Sequence, residues 1–232
     1  LKQMLTSESW DIVTIQQVSH KSSDATSFLP HAKLLCDYIR KYAPGAEIVF
    51  HQTWAYREDK FKDGAAGQIA MYQGLTRAYH SMAKELGIRR IIPVGDAFQL
   101  TWESPVGKYQ PDPNFDYKNA KYPARPADKN SLHAGFSWRK TGAGDGPRDH
   151  DDPMGKADAS GMRSSNDRGH LGPDGKYLAA CVWFEFLFKS DVRKIGYKPS
   201  SMENERSEFL KNIAYRVVSE GVRPAAWPQG VE

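Results

Sequence analysis

Asp167 and His170 stand three residues apart in the polar stretch from Asn166 to Gly175, directly upstream of an apolar run. A carboxylate beside an imidazole holds the ring in one tautomer and stabilises the imidazolium formed when the ring takes a proton. That is the chemistry of a general base that later acts as a general acid. Pro173 suits a first helical turn, where its missing N–H costs nothing. From Tyr177, the residues Leu178, Cys181, Val182, Phe184, Leu187 and Phe188 recur at helical spacing, so this helix buries a face. The pair is therefore expected on a polar turn at the mouth of a rigid helix. The same spacing also suits an aspartate capping the helix beside a surface histidine, and the two residues alone do not separate these readings.

Strands alternating with helices supply the frame that would position such a pair. Asp11–Gln17 is a short β-branched apolar run bounded by polar residues, which reads as a buried strand. A helix is expected over Phe28–Tyr42, ended by Ala43-Pro44-Gly45, then a strand over Glu47–Thr53. A long amphipathic helix over 65–86 closes at Gly87, a third strand spans Arg89–Val94, and a short helix covers Asp96–Trp102. Strands separated by helices argue for an α/β fold with a parallel sheet covered on both faces. Right-handed crossovers then bring the strand C-termini to one edge. Gln16, Gln17, Thr53, Trp54, Gly95 and Asp96 fall on that edge.

Residues 103–166 show no clear periodicity and are rich in Pro, Gly, Asp, Lys and Tyr, a length of loop that is commonly functional or disordered. Trp102, Tyr109, Phe115, Tyr117, Tyr122, Phe136 and Trp138 suggest an ordered excursion over the active edge. Trp138 in particular offers flat apolar area on which a sugar ring could stack; anchoring of the loop to the body explains the aromatics equally well. Asp149-His150-Asp151-Asp152 is read as a solvated acidic turn, because four adjacent residues do not converge on one ion. A helix over 201–221 is expected as a peripheral cover.

At 232 residues and 40% hydrophobic, the chain can bury a sizeable core as a single domain over 1–232 without disulfides. No apolar run approaches the ~20 residues of a membrane span. The net charge of +4 is spread along the chain, with neither a basic stripe nor zinc-type spacing, so nucleic acid is not an expected partner. Cys36 and Cys181 each sit in an apolar helical pattern and read as buried thiols, although one bridge between them would form in an oxidising compartment.

Among the edge residues, Gln16 and Gln17 point to opposite faces, so one of them at most reaches an oxyanion. Gln17, nearer the strand end, is preferred, and the other is expected to satisfy local backbone groups. Ser19 is a substitute nucleophile or, more commonly, a turn hydroxyl. His20, His31, His51 and His80 have no carboxylate at an informative spacing, and His51 alone lies on a strand close to the edge.

Several of these segments together resemble the SGNH (GDSL-type) hydrolases. Asp167-x-x-His170 matches that family's late Asp-x-x-His block, which supplies two members of a Ser-His-Asp triad just before the last core helix. Trp10-Asp11-Ile12-Val13-Thr14-Ile15-Gln16-Gln17-Val18-Ser19 looks like its third block, whose strand end supplies an oxyanion-hole amide. Thr53-Trp54-Ala55 and Gly175-Lys176-Tyr177-Leu178 are similar to stretches of an uncharacterised bacterial branch of the superfamily. The resemblance covers most of residues 10–190. It implies a three-layer α/β/α sandwich of the SGNH or flavodoxin-like kind, and a serine esterase that removes acyl groups, acetyl among them, from a carbohydrate without metal or organic cofactor. His170 would then be the base, Asp167 its orienting partner, and secretion or periplasmic export the expected destination. The family's first block, a strand followed by Gly-Asp-Ser or Gly-Asn-Ser, is absent from the sequence. The nucleophile is therefore unidentified, and an N-terminal segment or a second chain is expected to complete the sheet. A relative that lost the nucleophile and binds carbohydrate or protein is the alternative.

Overall fold

A computed structural model of the chain describes residues 1–140, 153–154 and 159–231. In chain order its elements are α1 (Lys2–Leu5), β1 (Ile12–Ile15), α2 (His31–Tyr42), β2 (Glu47–His51), α3 (Ala65–Leu86), β3 (Ile91–Ile92) and α4 (Val94–Glu103). They continue with β4 (His133–Lys140), β5 (Pro153–Met154), β6 (Met162–Leu171), α5 (Pro173–Phe188) and α6 (Asn204–Val218). The three strands expected from sequence all form and pair in parallel in the order β1-β2-β3, Ile12 opposite Glu47 and Phe50 opposite Ile91. Each is shorter than its expected run, although Asp11, Gln52 and Arg90 at the ends still bond across to the neighbouring strand, and Pro93-Val94 turn directly into α4.

Alternation along β2 decides how the helices are distributed. Ile48 and Phe50 pack with Ile39 of α2 and Tyr72, Leu75 and Tyr79 of α3. Val49, on the opposite face, packs with Ala97 and Phe98 of α4, Leu178 and Val182 of α5, and Leu210 and Ile213 of α6. Successive strand residues point to opposite sides of a sheet, so one strand feeds two cores. Leu210, Ala214 and Leu178 are fully buried. The C-terminal helix expected as a peripheral cover is thus a core element. Cys36 belongs to the first cluster and Cys181 to the second, and both are free thiols rather than a bridge.

The helix ends follow local chemistry. Gly87 closes α3 at φ 66°, where its N–H reaches the Ala83 and Lys84 carbonyls, a left-handed cap that glycine adopts without penalty. Pro173 opens α5 after Gly172.

The main departure lies in residues 103–166. A second, antiparallel sheet in the order β4-β6-β5 occupies part of it. Its register shifts between His133 and Gly135, and such an irregularity breaks the two-residue period that would have marked a strand. β6 is polar along its length, yet Ser164, Ser165, Asn166 and Asp167 are all buried. Polar residues paired inside a structure look like a loop to any reading based on hydropathy. Asp149-His150-Asp151-Asp152 lies outside the described residues.

Candidate active site

Asp167 and His170 sit on the last turn of the β6 ladder rather than on a free polar turn, and α5 begins two residues after Leu171. Asp167 pairs across the sheet with Gly135 of β4. Gly135 has φ 69°, and a Cβ there would come within 3.4 Å of the Arg57 guanidinium. Glycine is needed at that position for its backbone conformation.

The two side chains meet as the sequence suggested. Asp167 Oδ2 accepts from His170 Nδ1 at 2.8 Å, while Oδ1 accepts from the backbone N–H groups of Gly169 at 3.1 Å and His170 at 2.9 Å. The carboxylate side chain is 8% exposed and the imidazole 59%. Burial alone would raise the Asp167 pKa, but the backbone donors of His170 and Gly169, then the ring itself, outweigh it and hold the carboxyl below its ordinary value. An ionised Asp167 fixes the proton on Nδ1 and leaves the lone pair on Nε2. This is the geometry of an oriented base, and neither residue caps α5.

The loop after β2 holds this strand end in place. Trp54 Nε1 donates to the Gly169 carbonyl at 2.8 Å, and its ring stacks on Phe98 at 5.3 Å. The Arg57 N–H donates to the Arg168 carbonyl at 2.9 Å. Tyr56 lies against Gly169 so closely that a Cβ there would sit 3.1 Å from its ring. Trp54 thus supports the backbone between Asp167 and His170. Arg57, buried to 2% exposure, bonds Asp59 through Nε at 2.7 Å and Asn166 Oδ1 through a terminal nitrogen at 2.8 Å, with its guanidinium 4.0 Å from the centre of the Tyr109 ring. Sequence reasoning missed Tyr56, Arg57 and Asn166. Tyr56 and Arg57 continue the Thr53-Trp54-Ala55 stretch and Asn166 precedes Asp167, but nothing local signals a bond spanning 109 residues.

Other candidates are placed differently. Gln17 was the preferred oxyanion residue, yet its Nε2 donates to the Ser27 carbonyl at 2.8 Å and its Oε1 accepts from the Val18 N–H. Its backbone N–H donates to Tyr79 Oη at 3.2 Å. Gln17 therefore does the local backbone work expected of its neighbour, while Gln16 is exposed. Ser19 lies 3.0 Å from Tyr56 Oη, which links the exit of β1 to the ring beside Gly169. Trp138 donates its indole N–H to the Ala124 carbonyl at 2.6 Å and meets Tyr122 and Phe136 edge to face. That places it inside an aromatic cluster anchoring the loop. His51 packs on Trp183 and Trp54 with Nε2 buried and unbonded, and burial pushes its pKa down to about 4.

Among the described residues no three His, Cys, Asp or Glu side chains converge as metal ligands. None of their helices is long and apolar enough to cross a membrane.

The family model for DUF4886, a domain of unknown function, matches residues 1–124 and 161–217. The chain belongs to the DUF4886 family. Stretch 125–160, which carries β4 and β5, falls outside that match. Among solved structures the chain is similar to a DUF4886 family protein from Bacteroides uniformis ATCC 8492, at 23% identity and a TM-score of 0.65, over 97% of this chain and 69% of that one. At that identity the likeness speaks for the DUF4886 fold alone. No curated protein matches the chain.

Proposed function

We propose that this DUF4886 chain carries the acid–base half of a serine esterase of the SGNH type, acting on an acyl, chiefly acetyl, ester of a carbohydrate. The observation that carries the reading is the Asp167–His170 contact of 2.8 Å, with Oδ1 taken by two backbone N–H groups and Oδ2 by the ring. A helix-capping aspartate would spend those oxygens on α5; this one spends them on the histidine and its backbone. His170 Nε2 takes the proton of a serine hydroxyl as it attacks the acyl carbon, then returns it to the leaving alcohol. Asp167 keeps the tautomer and steadies the imidazolium.

The architecture supports the same reading. Helices pack against both faces of β2, which suits a three-layer α/β/α sandwich. Among the described residues β1 pairs with β2 alone, so its outer edge can receive a further strand, and an unpaired apolar edge is a liability unless covered. The reading puts the nucleophilic serine there, supplied from outside residues 1–232. Gln17 is not assigned to the oxyanion, because its donors are committed.

The test is His170→Ala in the full-length protein, assayed on a chromogenic acetyl ester. Turnover should fall by about 10³-fold or more, while the melting temperature drops by only about 2–4 °C, because the ring is 59% exposed. Retained turnover would sink the esterase reading.

A further inference from the structure

A cleft that shares no residue with the Asp167–His170 pair runs beside the outer edge of β3. Its volume is about 400 Å³, and its lining includes His80 and Lys84 of α3, Arg89, Pro93, Asp96 of α4 and Trp227 from the C-terminal segment. β3 ends the sheet order and pairs with β2 alone among the described residues. Phe50 and Gln52 donate to the carbonyls of Arg90 and Ile92. Alternation therefore turns the N–H and C=O of Ile91, which also lines the cleft, away from β2 and toward it.

Asp96 gives the cleft a polar floor. The residue is 6% exposed. Its Oδ1 is saturated, accepting from Gln52 Nε2 at 2.9 Å and Tyr72 Oη at 3.0 Å, and its own N–H donates to Gln52 Oε1 at 3.1 Å. These bonds lock the carboxyl in one orientation. Gly95 permits the approach, since a Cβ there would lie 2.2 Å from the Thr53 carbonyl. Oδ2 has no hydrogen-bond partner among the described residues. Burial pushes the Asp96 pKa up to about 6 against the pull of Gln52, Tyr72 and the Arg223 charge.

The rim has the opposite character. Lys84 and Arg89 are exposed cations on one side. Trp227 forms a wall, edge to face with His80 at 5.3 Å and with the Arg223 guanidinium 4.5 Å from its ring centre. An acceptor floor beneath a cationic rim, with Pro93 and an indole between, suits a molecule that is itself charged at both ends.

We propose that this cleft binds a small organic zwitterion, its ammonium group on Asp96 Oδ2 and the Ile91 carbonyl, and its carboxylate at Lys84 and Arg89. A plain anion would be repelled by the floor, and a plain cation by the rim. The site is independent of the esterase reading.

A homologous series of ω-amino acids from glycine to 6-aminohexanoate, titrated calorimetrically into the full chain, tests it. One chain length should bind best, with a Kd on the order of 1 mM or tighter. The alkylamine and the alkanoate of that length should each bind at least about tenfold more weakly, as should Asp96→Asn toward the best ω-amino acid, because a hydrogen bond to a charged group is lost. Lys84→Ala/Arg89→Ala, on exposed positions that carry no fold risk, should weaken it about fivefold. No measurable binding by any member would overturn the proposal. So would alkanoate binding as tight as that of the ω-amino acid, or an affinity unchanged in the Lys84→Ala/Arg89→Ala variant, which decides the matter even if Asp96→Asn does not fold.

Discussion

Asp167→Asn separates an oriented base from a merely well-bonded aspartate. The asparagine Oδ1 can keep both backbone donors, Gly169 at 3.1 Å and His170 at 2.9 Å. What changes is the atom facing His170 Nδ1, now 2.8 Å from a carboxylate oxygen. An amide nitrogen there donates, so Nδ1 must become the acceptor and the imidazole proton moves to Nε2. The base is then on the wrong nitrogen. For a serine esterase this should cost about 10⁴-fold in turnover. The fold loses one charge-assisted bond to a ring that is 59% exposed. Such a bond is worth about 1 kcal/mol at most after solvent screening, a drop of about 2–4 °C in Tm for a protein of this size. Two measurements are needed: hydrolysis of an acetyl ester by the full-length protein, and nitrogen NMR of His170 to assign the protonated ring atom. The wild type should show the proton on Nδ1 and the variant on Nε2. A wild-type ring protonated on Nε2, or a variant of near-normal turnover, would refute the reasoning.

Trp54→Phe keeps the stacking on Phe98 but removes the donor to the Gly169 carbonyl; it should cost about 1 kcal/mol of stability by chemical denaturation and lower turnover by loosening the backbone between Asp167 and His170. Trp138→Ala should impair an acetylated oligosaccharide and a small aryl acetate about equally, because the indole anchors the Tyr122–Phe136 cluster; a KM rise confined to the oligosaccharide would restore a stacking role. Acid stability carries opposing terms. His51 and His133 are held down to about 4 by burial, so the unfolded chain takes up protons first, and their contribution, complete above the ordinary value of 6.5, is lost as pH falls toward 4. Asp96, raised to about 6, works the other way: its contribution is complete below the ordinary 3.8 and is lost as pH rises through 6. With two histidines against one aspartate, the denaturation midpoint should fall on acidification from pH 6.5 to 4, and Asp96→Asn should steepen that fall; a shallower fall would refute the sign.

What the sequence determined by itself was local. β-branched runs marked β1 and β2, and a left-handed glycine cap marked the end of α3 at Leu86, because short-range sterics and periodicity decide such features. The Asp167–His170 spacing was legible in the sequence, but their contact was not: residues three apart on a regular strand face opposite sides, and it is the register irregularity opposite His133 and Gly135 that brings the two together. Tertiary structure decided the rest. β4 and β6 form only by pairing with each other across an irregular register, and β6 buries serines, an asparagine and an aspartate that no hydropathy pattern would place inside. The commitment of Gln17 to Ser27, the Arg57–Asn166 bond and the support of Gly169 by Trp54 depend on partners 10, 109 and 115 residues away. A side chain's donors are spent on whatever the fold brings within 3 Å, and for distant partners that distance is set by how helices pack on both faces of a sheet, not by the residues along the chain.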